Sequence, residues 1–473
     1  MKTRLEYDAL GSMEIPSDAF YGIHSLRAKE NFHLSGIKIH PELIRSLAQV
    51  KKACALANVQ IGYLDEQTGG AIVTACDEIA GGALFDQFIT DTFQGGAGTS
   101  LNMNANEVIA NRAIEILGGT KGDYSLVNPL DHVNLSQSTN DVIPTAVKLT
   151  AIRLLQQTSK SMADLQSALQ EKEKEFASIL KVGRTEMQDA VPITLGQEFS
   201  AWAQAVQRDW WRLYKVEERL RQVNLGGTAI GTGLNADRHY VYRVVDILRE
   251  ITGVGLARAE NMIDATQNFD VFVEVSGLLK SAAVNLAKIS SDLRLLSSGP
   301  CAGIAEIHLP DLQAGSSIMP GKVNPVVTEA VSQVAFQVTA NDLAITLCAM
   351  NGQLELNAFI PALSHNLFQS FDLLTNAANL LADKCIRGIT ADESRCRQLL
   401  ESSFSLVTAL SPYLGYDQAS ALACESKQTG KTIRELALDK GLFTKEELDI
   451  ILSPQEMTHP GIAGLDKIDN ESP

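Results

Sequence analysis

Four long stretches of the chain place apolar residues at the three- and four-residue spacing of amphipathic helices. They run from Ala146 to Leu180, from Val271 to Leu296, from Val326 to Met350 and from Pro361 to Ile386. At about 1.5 Å per residue, each predicted helix extends for tens of Å. An apolar seam of that length must be covered by other helices, from the same chain or from another copy of it. The pattern therefore predicts an all-α protein whose long central helices form a bundle, and we expect several subunits to share that bundle.

The segments on either side of these long helices have a different pattern. Before about Asn140 the chain mixes short helical patterns with loops. After about Arg387 short helical patterns recur, such as Ile433 to Lys440 and Lys445 to Leu452. Changes of this kind at glycine and proline positions are typical of domain limits. We therefore predict an N-terminal, mainly helical domain over residues 1–140, a central long-helix domain over 141–390, and a small C-terminal helical domain over 391–473.

Composition and charge narrow the class of protein. The 473 residues are 45% hydrophobic and 20% charged, which excludes a largely disordered chain. Only 6% are aromatic, which suits helix packing better than a β-sandwich. There are 56 acidic and 40 basic residues, for a formal net charge of −16, and this sign argues against nucleic acid as a partner. An anionic substrate must then be held by local donors, against the field of the whole molecule.

The sequence carries no predicted targeting or membrane segment. Its first residues lack the apolar core of a signal peptide, and no apolar run approaches the ~18 residues of a membrane-spanning helix. The seven cysteines include no CxxC pair, which is typical of reduced thiols. The eight histidines show no i, i+3 or i, i+4 pairing, so no histidine-built metal site is predicted. We therefore expect a cytoplasmic protein that has neither nucleic acid nor membrane as a partner.

Five loops between the helical stretches combine glycine with short polar side chains. Glycine lets the backbone approach a ligand closely, while Ser, Thr and Asn supply neutral hydrogen-bonding groups. Each loop alone is typical of an ordinary helix cap or turn. Five of them joined by long helices favour a pocket for a small carboxylate, to which Lys322 adds a cation. The loops span residues 94–100, 136–141, 183–188, 226–233 and 315–325.

Two nucleotide-binding motifs are excluded. Gly231 to Ala236 fits the letters G-x-G-x-x-A, but a helical pattern precedes it and no βαβ pattern accompanies it. The phosphate-binding pattern G-x-x-x-x-G-K-[ST] does not occur. The glycine-rich loops therefore do not indicate a nucleotide cofactor.

The loop from Gly315 to Pro325, Gly-Ser-Ser-Ile-Met-Pro-Gly-Lys-Val-Asn-Pro, resembles the signature loop of the aspartase/fumarase superfamily. The stretches 95–107, 132–141 and 226–235 are also similar to that family, and the resemblance extends from about Tyr7 to Pro460. It is closest to the aspartate ammonia-lyase branch, which the segments 10–22 and 457–464 resemble as well.

The resemblance implies a fold, an assembly and a reaction. The family fold is an all-α subunit of three domains, which assembles as a homotetramer around a central bundle and builds each active site from loops of three subunits. The family reaction is the reversible anti-elimination of ammonia, or of water in fumarase, from a succinate skeleton to give fumarate. The resemblance thus implies an ammonia-lyase with a small amino dicarboxylate as substrate. It implies no required cofactor and no catalytic metal, although some members are activated by a divalent metal.

The resemblance also assigns roles to residues at matching motif positions. Removal of the weakly acidic Cβ proton creates a dianionic aci-carboxylate, and each donor that stabilises it is typically worth about 3–4 kcal/mol. General-base catalysis contributes about 10²–10⁴-fold. Ser316 matches the catalytic base, as an alkoxide stabilised by backbone amides of its loop. The residues that match substrate contacts are Thr99, Ser138, Thr139 and Ser317 for the β-carboxylate, Lys322 and Asn324 for the α-carboxylate, and Asn140 and Thr185 for the leaving amine. Behind them, Glu329 matches the acidic partner of a family histidine, and His132 is a further supporting residue.

Three positions depart from the family pattern and leave the substrate open. Glu186 stands where the family usually has His or Gln, Cys301 where Arg is common, and Ile360 where Glu is usual. A carboxylate at position 186 favours a cationic leaving group, and hence a C–N lyase over the alternative of fumarate hydratase. Two hypotheses follow: Glu186 shares a proton with Glu329, or it selects an amine larger or more cationic than aspartate. Some members of the superfamily are structural lens proteins, but that role predicts loss of the catalytic serine or the loop lysine, and both are retained.

Overall fold

The computed structural model describes residues 2–468, and helices make up most of it. The α-helices of the described residues are α1 (Ile23–Asn31), α2 (Pro41–Gln60), α3 (Glu66–Ala80), α4 (Thr99–Ile116), α5 (Thr139–Glu175), α6 (Leu195–Leu220), α7 (Arg238–Thr252), α8 (Asp264–Gln267), α9 (Asp270–Leu296), α10 (Val326–Met350), α11 (Ile360–Lys384), α12 (Glu393–Ser402), α13 (Val407–Leu414), α14 (Tyr416–Thr429), α15 (Ile433–Asp439), α16 (Lys445–Ile451), α17 (Pro454–Met457) and α18 (Leu465–Ile468). A π-helical turn lies at Pro129–Val133, and 3₁₀ turns lie at Phe85–Gln87, Ile386–Gly388 and Phe404–Leu406. The predicted all-α class is confirmed, while the sharing of a bundle among subunits stays a prediction.

The apolar pattern located the long helices well. α9 and α10 begin and end within one residue of their predicted limits, and α11 does so within two. The predicted seam of α9 is buried throughout, at Leu279, Ala282, Leu286, Ile289, Leu293 and Leu296. Within the described part of the chain, no helix combines the length and apolar character needed to cross a membrane.

Short strands pair into two-stranded sheets, which the apolar pattern did not predict. The antiparallel pairs are β1 (Thr3–Asp8) with β2 (Gly11–Pro16), β3 (Leu180–Thr185) with β4 (Gln188–Thr194), and β7 (Ile307–His308) with β8 (Thr390–Ala391), and the parallel pair is β5 (Gln222–Val223) with β6 (Ala257–Arg258). No sheet among residues 2–468 has more than two strands. The glycine-rich segment 231–236 therefore has no dinucleotide-binding sheet beside it.

The prediction that the first long helix continues to Leu180 was wrong. α5 ends at Glu175, and Leu180 begins β3 instead. The carbonyl of Phe176 accepts a hydrogen bond from the backbone N–H of Gly196 at 3.0 Å. The same carbonyl also accepts from the N–H of Ile179 at 3.1 Å, so a last tight turn and the contact with the start of α6 together replace a further α-helical turn. Because Phe176 keeps the seven-residue apolar spacing, the sequence pattern concealed the end of the helix.

The described residues divide into two compact units. Unit 1 takes those within Met1–Lys160, Trp211–Ala283 and Phe336–Thr375, and unit 2 takes those within Ser161–Trp210, Val284–Ala335 and Asn376–Pro473. Each of the long helices α5, α6, α9, α10 and α11 contributes one part to each unit. This division cuts across helices, whereas the predicted three domains follow the order of the sequence and stay a prediction.

Each unit has helices that hold the loops of interest. In unit 1, α2 packs against α3 and α7, and α4 packs against the π-helical turn that precedes α5. The starts of α4 and α5 are thereby fixed beside one another. In unit 2, α12 packs against β3, and a buried apolar cluster that includes Val182, Leu410, Leu436 and Ile451 supports the base of the β3–β4 hairpin.

Candidate functional site

The start of α5 in unit 1 presents two hydroxyl groups whose oxygens each accept a hydrogen bond. The Ser138 hydroxyl accepts from the backbone N–H of Asn140 at 3.2 Å, and the Thr139 hydroxyl accepts from Nδ2 of Asn102 at 3.2 Å. Both side chains are half-buried. Because each oxygen already accepts a hydrogen bond, each proton is available to an acceptor outside the protein. The pair can therefore donate to a carboxylate, as the motif positions predict.

Thr99, at the start of α4, is held one turn before Asn102. Its hydroxyl donates to the carbonyl of Gly96 at 2.6 Å, and its side chain is exposed. It lines a cavity of about 320 Å³ together with Ser100, His24 and Arg27. The structure thus brings Thr99 near the Ser138–Thr139 pair through α4, but its proton is engaged until a ligand replaces the Gly96 carbonyl.

Two basic side chains of this cavity were missed by sequence reasoning. Arg27 forms a two-pronged ion pair with Asp8, at 2.9 and 3.0 Å. His24 Nδ1 lies 3.0 Å from a carboxylate oxygen of the buried Glu107, and this hydrogen bond raises the pKa of His24. The only available signal was the segment 10–22, which precedes both residues and resembles the family without assigning them a role.

Asn140 is oriented by the glycine-rich loop 226–233. Its Nδ2 donates to the carbonyl of Ala229 at 2.7 Å, and its backbone carbonyl accepts from Asn224 Nδ2 at 2.9 Å. The Oδ1 atom of Asn140 is left as a hydrogen-bond acceptor. An acceptor suits an ammonium group, as expected for a contact with the leaving amine.

Asp141 ties the same two loops together and was not singled out from the sequence. One carboxylate oxygen accepts from the backbone N–H of Ser138 at 3.0 Å, and the other accepts from Gly226 at 3.0 Å and Thr228 at 3.2 Å. The side chain is fully buried, and burial raises its pKa to about 6 although the three N–H donors oppose the shift. Asp141 therefore fixes the geometry of the loops rather than facing a ligand.

His132 lies in the π-helical turn and makes a local contact. Its Nδ1 accepts from the backbone N–H of Asn128 at 3.0 Å, which assigns the ring proton to Nε2 when the ring is neutral. No hydrogen bond within residues 2–468 joins His132 to the hydroxyl groups of Ser138, Thr139 or Thr99. Its supporting role stays a prediction.

The predicted loop 183–188 in unit 2 is the tip of the β3–β4 hairpin. Thr185 pairs with Gln188, and the two residues between them, Glu186 and Met187, have φ values of 53° and 63°. Such a two-residue turn normally takes Asn-Gly or Gly-Gly, because other residues are strained at positive φ. Backbone strain of this kind is often found at functional sites. Both Thr185 and Glu186 are exposed at this tip.

A buried ionic cluster holds the hairpin below its tip. Arg184 binds both oxygens of Glu306 at 2.9 Å, and the Lys181 ammonium lies 3.2 Å from Glu306 and 2.7 Å from Glu198. Lys181 and Glu306 are fully buried. The residue next to Thr185 is thus held rigidly to the segment that precedes the signature loop.

The signature loop of unit 2 closes on itself. The Gly315 N–H donates to the carbonyl of Lys322 at 2.7 Å, and Asn324 Nδ2 donates to the carbonyl of Gly315 at 2.8 Å. A Cβ atom at position 315 would lie 2.7 Å from that Lys322 oxygen, so only glycine permits this closure. Ser316 Oγ accepts from the backbone N–H groups of Ile318 at 3.2 Å and Met319 at 3.0 Å. Two N–H groups directed at one oxygen favour its anionic form.

A cavity of about 1020 Å³ in unit 2 brings together Lys322, Asn324 and Glu329. Arg294 and His308 also line it, and sequence reasoning missed both because they lie outside the recognised loops. Ser316, Ser317, Thr185 and Glu186 are not among its lining residues. Ser317 and Lys322 are exposed, and Asn324 and Glu329 are half-buried.

The hypothesis of a shared proton between Glu186 and Glu329 has no support within one chain. No hydrogen bond of the described residues joins the two carboxyl groups. Nor do residues 2–468 contain a group of three or more His, Cys, Asp or Glu side chains placed to hold a metal ion. The independence from metals and cofactors implied by the resemblance stays a prediction.

Comparison with known proteins identifies what the chain resembles. A family model described as lyase matches residues 11–340, and one described as fumarase C C-terminus matches residues 406–459. The chain is 52% identical to the aspartate ammonia-lyase of Bacillus subtilis (strain 168) over 466 residues, which is 98% of each chain. A Brucella melitensis structure described as fumarate lyase:delta crystallin bound to cobalt superposes with a TM-score of 0.94 at 50% identity, over 97% of this chain and 100% of that one. The class II fumarase of Schistosoma mansoni superposes with a TM-score of 0.93 at 34% identity, over the same shares.

Proposed function

The chain belongs to the aspartase/fumarase superfamily of lyases and is an ammonia-lyase, and on that premise we propose that it converts L-aspartate reversibly to fumarate and ammonia. The observation that carries the proposal is the near full-length identity of 52% to an aspartate ammonia-lyase. The complete signature loop, with its serines and lysine, supports it.

The proposed base is Ser316, acting as an alkoxide on the Cβ proton of the substrate. The hydrogen bonds from the N–H groups of Ile318 and Met319 support this role, because they stabilise negative charge on Oγ. Proton transfer to Ser316 leaves a dianionic aci-carboxylate. Its electron pair then forms the Cα–Cβ double bond as the C–N bond breaks and ammonia leaves.

The proposed donors to the β-carboxylate are Thr99, Ser138, Thr139 and Ser317. Loss of one such donor costs about 3–4 kcal/mol of transition-state stabilisation, so the set outweighs the contribution of the base. The Ser138 and Thr139 oxygens accept hydrogen bonds from the protein, which leaves their protons available to a substrate carboxylate and supports the assignment. Thr99 would exchange its hydrogen bond with Gly96 for one with the substrate.

The remaining substrate contacts complete the proposal. Lys322 and Asn324 would bind the α-carboxylate, and their common cavity supports this pairing. Asn140 Oδ1 and Thr185 would bind the leaving ammonium, which needs acceptors. The reaction so written needs no cofactor. Removal of metal ions with a chelator, followed by addition of Mg²⁺, tests whether a divalent metal activates the enzyme.

We also propose a homotetramer in which loops of several chains complete each active site. Four large apolar side chains of α10, Phe336, Leu343, Leu347 and Met350, are 49–70% exposed and recur at spacings of seven, four and three residues. A regular apolar stripe on a long helix is typical of a helix–helix interface. Sedimentation or light scattering measures the assembly. A reducing compartment such as the cytoplasm is supported by seven cysteines without a disulfide.

The activity test follows the absorbance of fumarate at roughly 240 nm, first with aspartate and then with malate as the substrate. The proposal predicts a signal with aspartate that is lost in Ser316→Ala. A fumarate signal with malate but not with aspartate would instead support fumarate hydratase. The likeness to a class II fumarase is the observation that favours this alternative.

A different amine-substituted succinate is the second candidate, favoured by Glu186 at the strained hairpin tip. If Glu186 restrains turnover of aspartate, Glu186→Gln raises the rate with aspartate. If it selects a larger or more cationic amine, the same change lowers the rate with that amine only. Unchanged rates and an unchanged pH profile would refute a role for Glu186 in the reaction.

A further inference from the structure

Lys51, near the middle of α2, is a fully buried cation. Its side chain has no exposed surface. Its ammonium donates to Asn134 Oδ1 and to Gln137 Oε1, both at 2.9 Å. Both acceptors are neutral amides from the segment that leads into α5. Since lysine is rarely fully buried without an acidic partner, the arrangement requires an explanation beyond packing.

No carboxylate of the described residues forms an ion pair with Lys51. Asp141 attracts the ammonium, but its two oxygens accept from the backbone N–H groups of Ser138, Gly226 and Thr228. Burial lowers the pKa of Lys51 to about 8, and the attraction of Asp141 opposes that shift. At neutral pH, Lys51 is therefore charged, and no contact balances its charge.

Asn134 connects this cation with the start of α5. Its Oδ1 accepts from Lys51 and also from Nδ2 of Asn102 at 3.2 Å and of Asn106 at 3.3 Å. The same Asn102 Nδ2 donates to Thr139 Oγ1 at 3.2 Å. Three donors thus converge on one amide oxygen, and a continuous chain of hydrogen bonds runs from the ammonium to the Thr139 hydroxyl.

The two asparagines of α4 leave hydrogen bonds unmade in this arrangement. The Oδ1 atoms of Asn102 and Asn106 are buried without a hydrogen-bond partner. An unpaired buried acceptor is unfavourable, as is a buried charge without a counter-ion. Features that oppose folding and meet at one place are expected at functional sites rather than in a core selected for stability.

We propose that Lys51 is a positioning residue that stabilises the aci-carboxylate intermediate through Asn134, Asn102 and Thr139. This inference rests on the proposed function. Because Thr139 Oγ1 accepts from Asn102, its proton can be donated to a bound carboxylate. Loss of the Cβ proton adds a second negative charge to the substrate's β-carboxylate region. A fixed cation behind the donor attracts that dianion more than the monoanion, while Lys51 itself touches no reacting atom.

The test compares a mimic of the intermediate with a mimic of the substrate, by calorimetric binding to the full-length protein. The preformed nitronate of 3-nitropropionate carries one negative charge more at the β position than the nitro form of the same compound, whose neutral nitro group has the shape of a carboxylate. Lys51→Met removes the cation. Asn134→Asp, which is nearly isosteric, sets a carboxylate against Lys51 and neutralises it while the hydrogen bonds from Lys51 and Asn102 are kept.

Both variants should bind the nitronate about tenfold or more weakly, compared with the roughly 10²–10³-fold cost of losing a direct donor, and the nitro form less than about threefold more weakly. Lys52→Met is the matched control, since it removes only the ion pair of the neighbouring lysine with Asp77 and should change neither affinity. Equal losses for the two ligands would overturn the proposal. An Asn134→Asp variant that binds the nitronate with wild-type affinity would also overturn the proposal. Neutralising Lys51 with an ion pair has no effect on binding if the role of Lys51 is purely structural.

The proposed function and this inference fail in distinguishable ways. A wild-type protein that binds the nitronate tightly but forms no fumarate from aspartate contradicts the function alone. A wild-type protein that binds the nitronate no more tightly than the nitro form contradicts the role of Lys51. If circular dichroism shows that Lys51→Met does not fold, Asn134→Asp still decides the outcome.

Discussion

Replacing Lys51 by methionine should change how the stability of the protein depends on pH. Lysine at this position titrates near 10.5 in the unfolded chain, whereas burial lowers the pKa to about 8 in the folded one. Between these values the unfolded chain holds a proton that the folded chain has released. The wild type therefore gains stability as the pH rises through this window, and Lys51→Met, which carries no proton there, does not.

The magnitude follows from the two pKa values. At pH 7 the charged form of a group with these values costs about 3 kcal/mol of folding free energy, and at pH 10 about 1 kcal/mol. The difference in unfolding free energy between the wild type and Lys51→Met should thus shift by about 2 kcal/mol in favour of the wild type. Lys51 is fully buried, so solvent screening does not reduce this figure.

Urea-induced unfolding at pH 7, 8, 9 and 10, with the protein concentration held fixed, measures the shift. Burial raises the pKa of Cys54 to about 12 and raises the pKa values of Cys76 and Tyr240 as well, which lowers stability at high pH. These groups are present in both proteins, so the difference keeps only the part of their effect that depends on Lys51, whose charge lowers the pKa values of Cys54 and Cys76. A difference that stays constant from pH 7 to pH 10, or moves toward the variant, would refute the reasoning.

Three further substitutions test the contacts that hold the β3–β4 hairpin and those that link the start of α5 to the loop 226–233. Glu306→Ala leaves the half-buried Arg184 without its carboxylate and the buried Lys181 paired with Glu198 alone, and it should lower the unfolding free energy by about 1.5–3 kcal/mol in urea; a loss below about 1 kcal/mol would contradict a buried cluster. Met187→Gly relieves a residue held at φ 63° and should raise that free energy by about 0.5–1 kcal/mol, whereas a loss would show that the side chain is needed at the turn. Asp141→Asn turns one of the two oxygens that accept from backbone N–H groups into an NH2 donor. It should cost about 1–3 kcal/mol and lower the turnover of aspartate; full activity would show that the two loops do not need this link.

Helices α9 and α5 show how well the sequence alone predicts the limits of a helix. The limits of α9 were predicted within one residue because its seam, from Leu279 to Leu296, is buried at every expected position. The end of α5 was missed because Phe176 continues the apolar spacing while its carbonyl bonds to Gly196. Periodicity reports which residues are buried, but it does not report which partner satisfies the backbone.

The candidate site divides in the same way. The signature loop and the Ser138–Thr139 pair were recognisable from residue order, since their chemistry is local and their spacing is distinctive. Arg294 and His308 were not recognisable, because only the folded chain places them with Lys322 in the lining of one cavity. Residue types in a motif identify donors, and the fold decides what surrounds them.

The adjacent residues Lys51 and Lys52 show a difference that local sequence does not predict and tertiary structure decides. By itself the sequence determined an all-α fold, long helices and a set of hydroxyl-bearing loops, because each depends on local spacing. It gave no means of distinguishing Lys51 from Lys52. Contacts with Asn134 and Gln137, more than eighty positions away, bury the first, while the second forms an ion pair at the surface. Burial changes the free energy of a charge far more than any local pattern does, and only the packing of α2 against the segment before α5 decides which lysine is buried.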